Sequence, residues 1–265
     1  MVSPHQEFIT SSVTDVFREA AAALSSIDDG MMMLKASDYI LQTAFMKMTG
    51  FLEQKMKCIC WEIASQSYEY RHGVFFKERI CGFSSYKEKK SVLNDLIKEL
   101  SRSNEGFEID KHKKQDIILR VEYDMDFFYN VPCVPKIYSR QFAITKELIK
   151  KIKPDDILPG ANKGDITKTE LFNGQVKGNG QGIITKNGKI DLQYAYEEIV
   201  YKHRNRCAHN TICYQRNNPL IDVVSSADYP FHNYLSRFAI LDLIDVIFIC
   251  VYNIWRRASQ YSYAQ

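Results

Sequence analysis

Apolar positions recur at helical spacing from the start of the chain. Val13, Val16, Phe17, Ala20 and Leu24 predict a helix over 13–24, which Asp28-Asp29-Gly30 ends. A stronger signal runs from 36 to about 70. There Ile40, Leu41, Ala44, Phe45, Met48, Phe51, Leu52, Met56, Ile59 and Ile63 form a broad apolar stripe without a proline, with Ser37 or Asp38 placed to cap it. Over 71–190 the periodicity weakens. Short helices are predicted over 91–100 and 141–152, the second stopped by Pro154, while Pro132 and Pro135 mark an extended connection. Asn173-Gly174 and Asn187-Gly188 are turn dipeptides, which predicts one or two small hairpins over 171–190. Helical spacing returns after Asp191 with Leu192, Ala195, Tyr196, Ile199 and Val200, and a last long helix is expected over about 231–257. The pattern implies an all-α fold in one domain, 1–265. Its core is a bundle of four principal helices from about 6–70 and 190–260, decorated by a mixed, partly irregular insertion at about 71–190.

Composition adds little against this picture. Hydrophobic residues at 45% and charged residues at 25% are ordinary for a globular protein, and a net charge of +3 neither announces nor forbids a nucleic-acid partner. The charge is uneven, however. Lys87, Lys89, Lys90, Lys98, Arg102, Lys111, Lys113 and Lys114 crowd the middle of the chain, either as a solvated helical surface or as a groove for an RNA backbone. Seven cysteines lack a framework spacing and no apolar signal segment opens the chain, which points to reduced thiols in the cytoplasm. The apolar stretch 238–255 carries Asp242 and Asp245 in its middle, so a buried helix is expected there rather than a membrane span.

Chemistry concentrates late in the penultimate helix, at Arg204-Asn205-Arg206-Cys207-Ala208-His209-Asn210. An Arg followed by a polar residue, with a His five positions on, resembles the HEPN motif. The earlier segment Ala44-Phe-Met-Lys-Met-Thr-Gly-Phe-Leu-Glu53 is similar to that family's early helix, which often carries an acidic residue at this place. The resemblance covers roughly 30–70 and 190–260. It implies a metal-independent endoribonuclease without a cofactor, acting as a homodimer that joins two motifs in one cleft. A toxin or antiphage role, with an antitoxin or other regulatory partner, is part of the same expectation. The alternative within the family is a silent module that binds RNA or a nucleotide, or scaffolds a partner.

The residue types suit the chemistry independently. RNA carries its own nucleophile in the 2′-hydroxyl, so cleavage needs a proton carrier and a cation for the phosphoryl oxygens. Histidine is the side-chain type suited to carry protons near neutral pH, so His209 can serve as base or acid, and Arg204 offers a permanent planar fork matched to phosphate. Asn205 is a candidate to orient His209 or to contact phosphate, with a surface amide as the plainer use. Lys202, Arg206 and Asn210 beside the motif, and Lys111, Lys113 and Lys114 in the insertion, are candidate RNA contacts. Residues five apart lie about 140° apart on an ideal helix, so Arg204 and His209 do not share a face. Plainer uses compete: Arg204 paired with Asp191, Glu197 or Glu198, and His209 as a helix-end histidine. The i,i+4 pairs His203/Cys207 and His209/Cys213 have zinc-ligand spacing but point apart on one helix, and no metal is expected.

Overall fold

In the computed structural model, which describes residues 3–27, 30–76, 82–103, 109–130, 134–161, 169–174, 182–185, 187–209 and 221–262, the predicted all-α class holds. The described residues form α1 (Pro4–Thr10), α2 (Thr14–Ser25), α3 (Gly30–Gln66), α4 (Tyr68–Phe76), α5 (Tyr86–Ser103), α6 (Lys111–Tyr129), α7 (Val134–Lys151), α8 (Leu192–Ala195), α9 (Lys202–His209), α10 (Ile221–Val224) and α11 (Tyr234–Ser262). Strands are absent among them; two isolated antiparallel bridges, Ile157 with Phe172 and Ile184 with Ile190, are the only β pairing. The Asn187-Gly188 turn forms as expected, with Gly188 at φ 71° and its N–H donating to the Thr185 carbonyl. The other expected turn, at Asn173-Gly174, runs into 175–181, outside the described residues.

Helix α11 organises the core. Its side chains from Leu235 to Trp255 are apolar nearly all round, and Phe238, Ile244, Ile247, Phe248 and Val251 are fully buried. It packs against α3, α5, α6 and α7. Each such side chain, taken out of water, contributes about 1.5–3 kcal/mol. By length and composition Tyr234–Ser259 suffices to cross a membrane, and 72% of its most apolar window is buried inside the fold.

Three expectations need correction. Helix α3 begins at Gly30, so Ser37 and Asp38 lie inside it rather than capping it. Six of the described helices, not four, have twelve or more residues. Three of the six, α5, α6 and α7, come from 71–190. Their Leu93, Ile97, Val121, Met125, Phe128 and Leu148 belong to the same core as Phe45 and Phe238, so this stretch builds the bundle instead of decorating it. The pattern is there to read in α6, where Ile117, Val121, Met125 and Phe128 recur on one face and Asp110 caps the start by accepting from Lys113 N–H.

The two acidic residues of α11 differ in their surroundings. The Asp245 carboxylate accepts from the Val13 N–H at 2.9 Å and forms a fully buried ion pair with Lys55, whose Nζ also donates to the Ser11 carbonyl. It thereby ties α2 and α3 to α11. Asp242 is 0% exposed, and among the described residues neither carboxyl oxygen has a hydrogen-bond partner. Burial, with Asp124 and Asp245 nearby, pushes its carboxyl well above the usual range.

Candidate functional site

The helix that carries the motif is built in three pieces. Asp191 caps α8 by accepting from the Tyr194 N–H, a π turn follows at Tyr196–Tyr201, and α9 completes it. In the π turn the hydrogen bonds reach five residues back, as from Lys202 N–H to the Glu197 carbonyl. Residues five apart then stack, so Tyr196 and Tyr201 line one recess together with Val200 and Arg204. The opposite face goes inward: His203 is buried against Phe45 and Tyr234, and its Nε2 meets Cys207 Sγ at 3.5 Å.

Arg204 takes none of the local carboxylates. Its Nη2 donates to Glu53 Oε1 on α3 at 3.1 Å, and Nη1 donates to Asn205 Oδ1 at 3.4 Å. The pair is largely enclosed, with side chains 25% and 17% exposed, and Arg204 Nε is buried without a hydrogen-bond partner among the described residues. Thr49 and Glu53 from α3, Lys89 from α5, Ser84 before α5, and Leu241 of α11 complete the recess, about 210 Å³ including space open to solvent.

Lys89 changes the electrostatics of this place. It is only 2% exposed, and its Nζ donates to the carbonyls of Phe83 at 2.5 Å and Ser84 at 3.3 Å. Among the described residues no carboxylate lies within ion-pair distance of it; Glu53 and Glu88 act on it through space, and its Nζ stands 5.4 Å from the Tyr196 ring centroid. Burial pushes the ammonium down to about 8, helped by Arg204 and opposed by the two glutamates. The segment it holds is strained. Phe83 has φ 54°, in the left-handed region that bulky residues avoid, and the Tyr196 hydroxyl donates to the next carbonyl, that of Ser84.

The other sequence candidates fall into separate groups. Asn205 sits beside Arg204 and accepts from it. His209 is exposed at the end of α9, and the α-helical geometry of Lys202–His209 keeps it off the face of Arg204. Lys202 forms an exposed i,i+4 pair with Glu198, and Arg206 Nη2 lies 3.4 Å from His203 Nδ1. Asn210 and Cys213 lie outside the described residues. Lys111 and Lys113 are exposed at the start of α6, which is not brought to the recess.

Lys114 is corrected. It is 4% exposed and donates to the Leu158 carbonyl at 3.0 Å, so it is a buried tie and not an RNA contact. Leu158 is the other described non-glycine residue with a left-handed backbone, at φ 46°. Each of the two strained turns is thus held by a buried lysine.

Burial and its cationic neighbours Arg237 and Arg206 push His203 down to about 2, a neutral core histidine. Among the described residues no group of three or more His, Cys, Asp or Glu side chains gathers to hold a metal ion. In the sequence Glu53 stands in the early helix without a place in the site, Lys89 stands in the basic stretch that fits either a solvated surface or an RNA groove, and Tyr201, Ser84 and Thr49 are not candidates. The signal for Glu53 was its place in the early helix; for Lys89, its position three residues before the core residue Val92 on one amphipathic helix. In comparison with known proteins, no family model matches the chain, and no curated protein or solved structure is significantly similar to it.

Proposed function

We propose that this protein is a metal-independent endoribonuclease of the HEPN type. One observation carries the reading. Arg204 and Glu53, the residues at which two distant segments resemble that family, meet across helices at 3.1 Å beside a polar recess. A carboxylate behind the guanidinium fixes its rotamer while leaving other N–H donors for phosphate. In the proposed reaction His209 removes the 2′-hydroxyl proton, and O2′ attacks the adjacent phosphorus. Arg204, steadied by Glu53 and Asn205, holds the charge on the non-bridging oxygens. The P–O5′ bond breaks and O5′ takes a proton, leaving a 2′,3′-cyclic phosphate and a 5′-hydroxyl. This needs a proton carrier and a cation, not a metal ion. Two motifs joined in a homodimer supply the His209 that one helix face withholds. A toxin or antiphage role with a regulatory partner belongs to the same proposal.

A second reading rests on the same contact. Glu53 already neutralises one arm of Arg204, which suits a silent module that binds RNA or scaffolds a partner. Incubation with total RNA in EDTA, beside an Arg204→Ala/His209→Ala control, separates the two. Cleavage to cyclic-phosphate ends is expected, with His209→Ala slower by ~10²–10⁴-fold and Arg204→Lys also poor. Activity that disappears in EDTA and returns with magnesium, or wild-type turnover in His209→Ala, refutes the nuclease reading.

A further inference from the structure

Lys89 is unexplained by the proposed reaction. A lysine sealed in the interior without a contacting carboxylate is costly, since desolvation of the ammonium is only partly offset by carbonyl dipoles. Lys114 makes the same kind of carbonyl tie, so holding a strained turn accounts for part of the cost in both. What distinguishes Lys89 is its position. It lines the recess with Arg204, and two carbonyls take two of its three N–H donors, leaving one for that space. Ser84 and Tyr201 line the same wall, as does Thr49, whose hydroxyl donates to the Met46 carbonyl.

Size limits the occupant. Pockets for whole small molecules run to about 300–1,000 Å³. The 210 Å³ counts space open to solvent, and the enclosed part has room for only about one water-sized group, so the recess excludes a nucleotide and admits a single oxygen of an anion resting at its mouth. We infer that the recess is an anion subsite for the RNA backbone, in which Lys89 and Arg204 hold one non-bridging oxygen of a phosphodiester. This inference rests on the reading of Arg204 as a phosphate-binding residue. It adds that α5, a helix outside both segments of resemblance, supplies half of the cationic grip.

Sulfate is the probe, because its charge does not change over the pH range of interest. The intact protein is titrated with sulfate by calorimetry, and separately with a 2′-O-methyl RNA oligonucleotide that cannot undergo 2′-hydroxyl attack. Saturable sulfate binding is expected in the wild type, competing with the oligonucleotide. Lys89→Met should weaken both by roughly tenfold or more, the usual loss for a charge-assisted hydrogen bond. Lys89→Arg should keep most of the affinity, and Lys114→Met should keep all of it whatever it does to stability.

Where Lys89→Met does not fold, the wild type still decides: sulfate should raise the titration midpoint of the Lys89 ammonium, followed by nitrogen NMR and assigned with Lys89→Arg. Sulfate that leaves this midpoint unmoved, a folded Lys89→Met with wild-type affinities, or a wild type that binds no sulfate overturns the subsite. Sulfate binding that needs Lys89 without displacing the oligonucleotide overturns the assignment to RNA. A protein that cuts no RNA yet binds sulfate and oligonucleotide through Lys89 keeps the subsite and loses the nuclease reading. Cleavage with both affinities untouched by Lys89→Met does the reverse.

Discussion

Arg204 on α9 donates to Glu53 on α3, 151 residues earlier in the chain. The contact joins two helices, and both partners are too enclosed for water to replace the bond freely. Loss of one partner therefore leaves the other charge underserved. A double-mutant cycle with Glu53→Gln and Arg204→Met is expected to give a coupling of about 1–2 kcal/mol in urea unfolding. Single losses that simply add would mean that the pair contributes nothing as a pair.

Much of this arrangement was legible and some was not, for physical reasons. The ends of the chain read well because 36–66 and 234–257 bury whole apolar faces, and burial writes a strong period. Helix α6 keeps one apolar face in Ile117, Val121, Met125 and Phe128, but Lys111, Lys113, Arg120 and Asp126 make its composition polar and mask that face in the sequence. The π turn left no signal, since Tyr196, Ile199 and Val200 suit an α-helix equally well. Arg204 and His209 stood out by residue type and spacing. The early helix places Glu53, and the spacing to Val92 turns Lys89 inward while Lys87 and Lys98 stay exposed, but that the two meet Arg204 is decided by tertiary packing and leaves no local mark. Lys114 failed for the same reason: three lysines within four positions look alike until a helix face decides between them.

Lys114 provides a sharp contrast with its neighbours. Reversing its charge puts a carboxylate against the Leu158 carbonyl in the interior. Lys114→Glu is expected to cost about 3 kcal/mol or more, while Lys113→Glu stays within about 0.5 kcal/mol of wild type. Equal effects in thermal melts would return Lys114 to the surface.

His203 should make the fold sensitive to acid. Burial beside Arg237, Arg206 and His232 holds it neutral down to about 2, whereas the unfolded chain takes up its proton near 6.5. The unfolded state then binds the extra proton between these values, so stability is present above 6.5 and falls as pH drops through that window. At about pH 4.5 the loss is about 2–3 kcal/mol, and the lowered His232, at about 4, adds to it. His203→Phe, which keeps a ring between Phe45 and Tyr234, should remove most of the His203 part. An unchanged acid dependence in His203→Phe would show that other groups carry it.

Asp242 works in the opposite direction. Its carboxyl is raised in the folded protein by burial and by Asp124 and Asp245, with Arg120 and Lys55 only partly opposing. Above the unfolded value of 3.8 the unfolded chain gives up this proton first, so stability falls as pH rises from there toward the folded value. Asp242→Asn retains the shape and removes the ionisation. It should be more stable than wild type at about pH 7.5 by about 1 kcal/mol or more, with a flatter alkaline limb. A variant that is less stable at every pH would mean that the carboxylate has a native role that Asn cannot fill.

Arg204 and His209 occupy different faces of α9, about 140° apart, so one protomer does not converge them on one phosphate. A twofold contact near α9 places two copies of each group in a shared cleft, and such self-complementary dimers are the commonest oligomers. Light scattering at micromolar concentration should report a dimer, and a monomer that still cuts RNA refutes the composite site. Mixing Arg204→Ala protein with His209→Ala protein tests the assignment more finely. If each cleft takes its Arg from one protomer and its His from the other, a mixed dimer has one cleft lacking both and one cleft intact. Activity should then recover to about a quarter of wild type, because random exchange makes half the dimers mixed and each of these has one of two clefts intact. If each cleft draws both groups from a single protomer, mixing restores nothing, and the dimer serves only to hold the fold together.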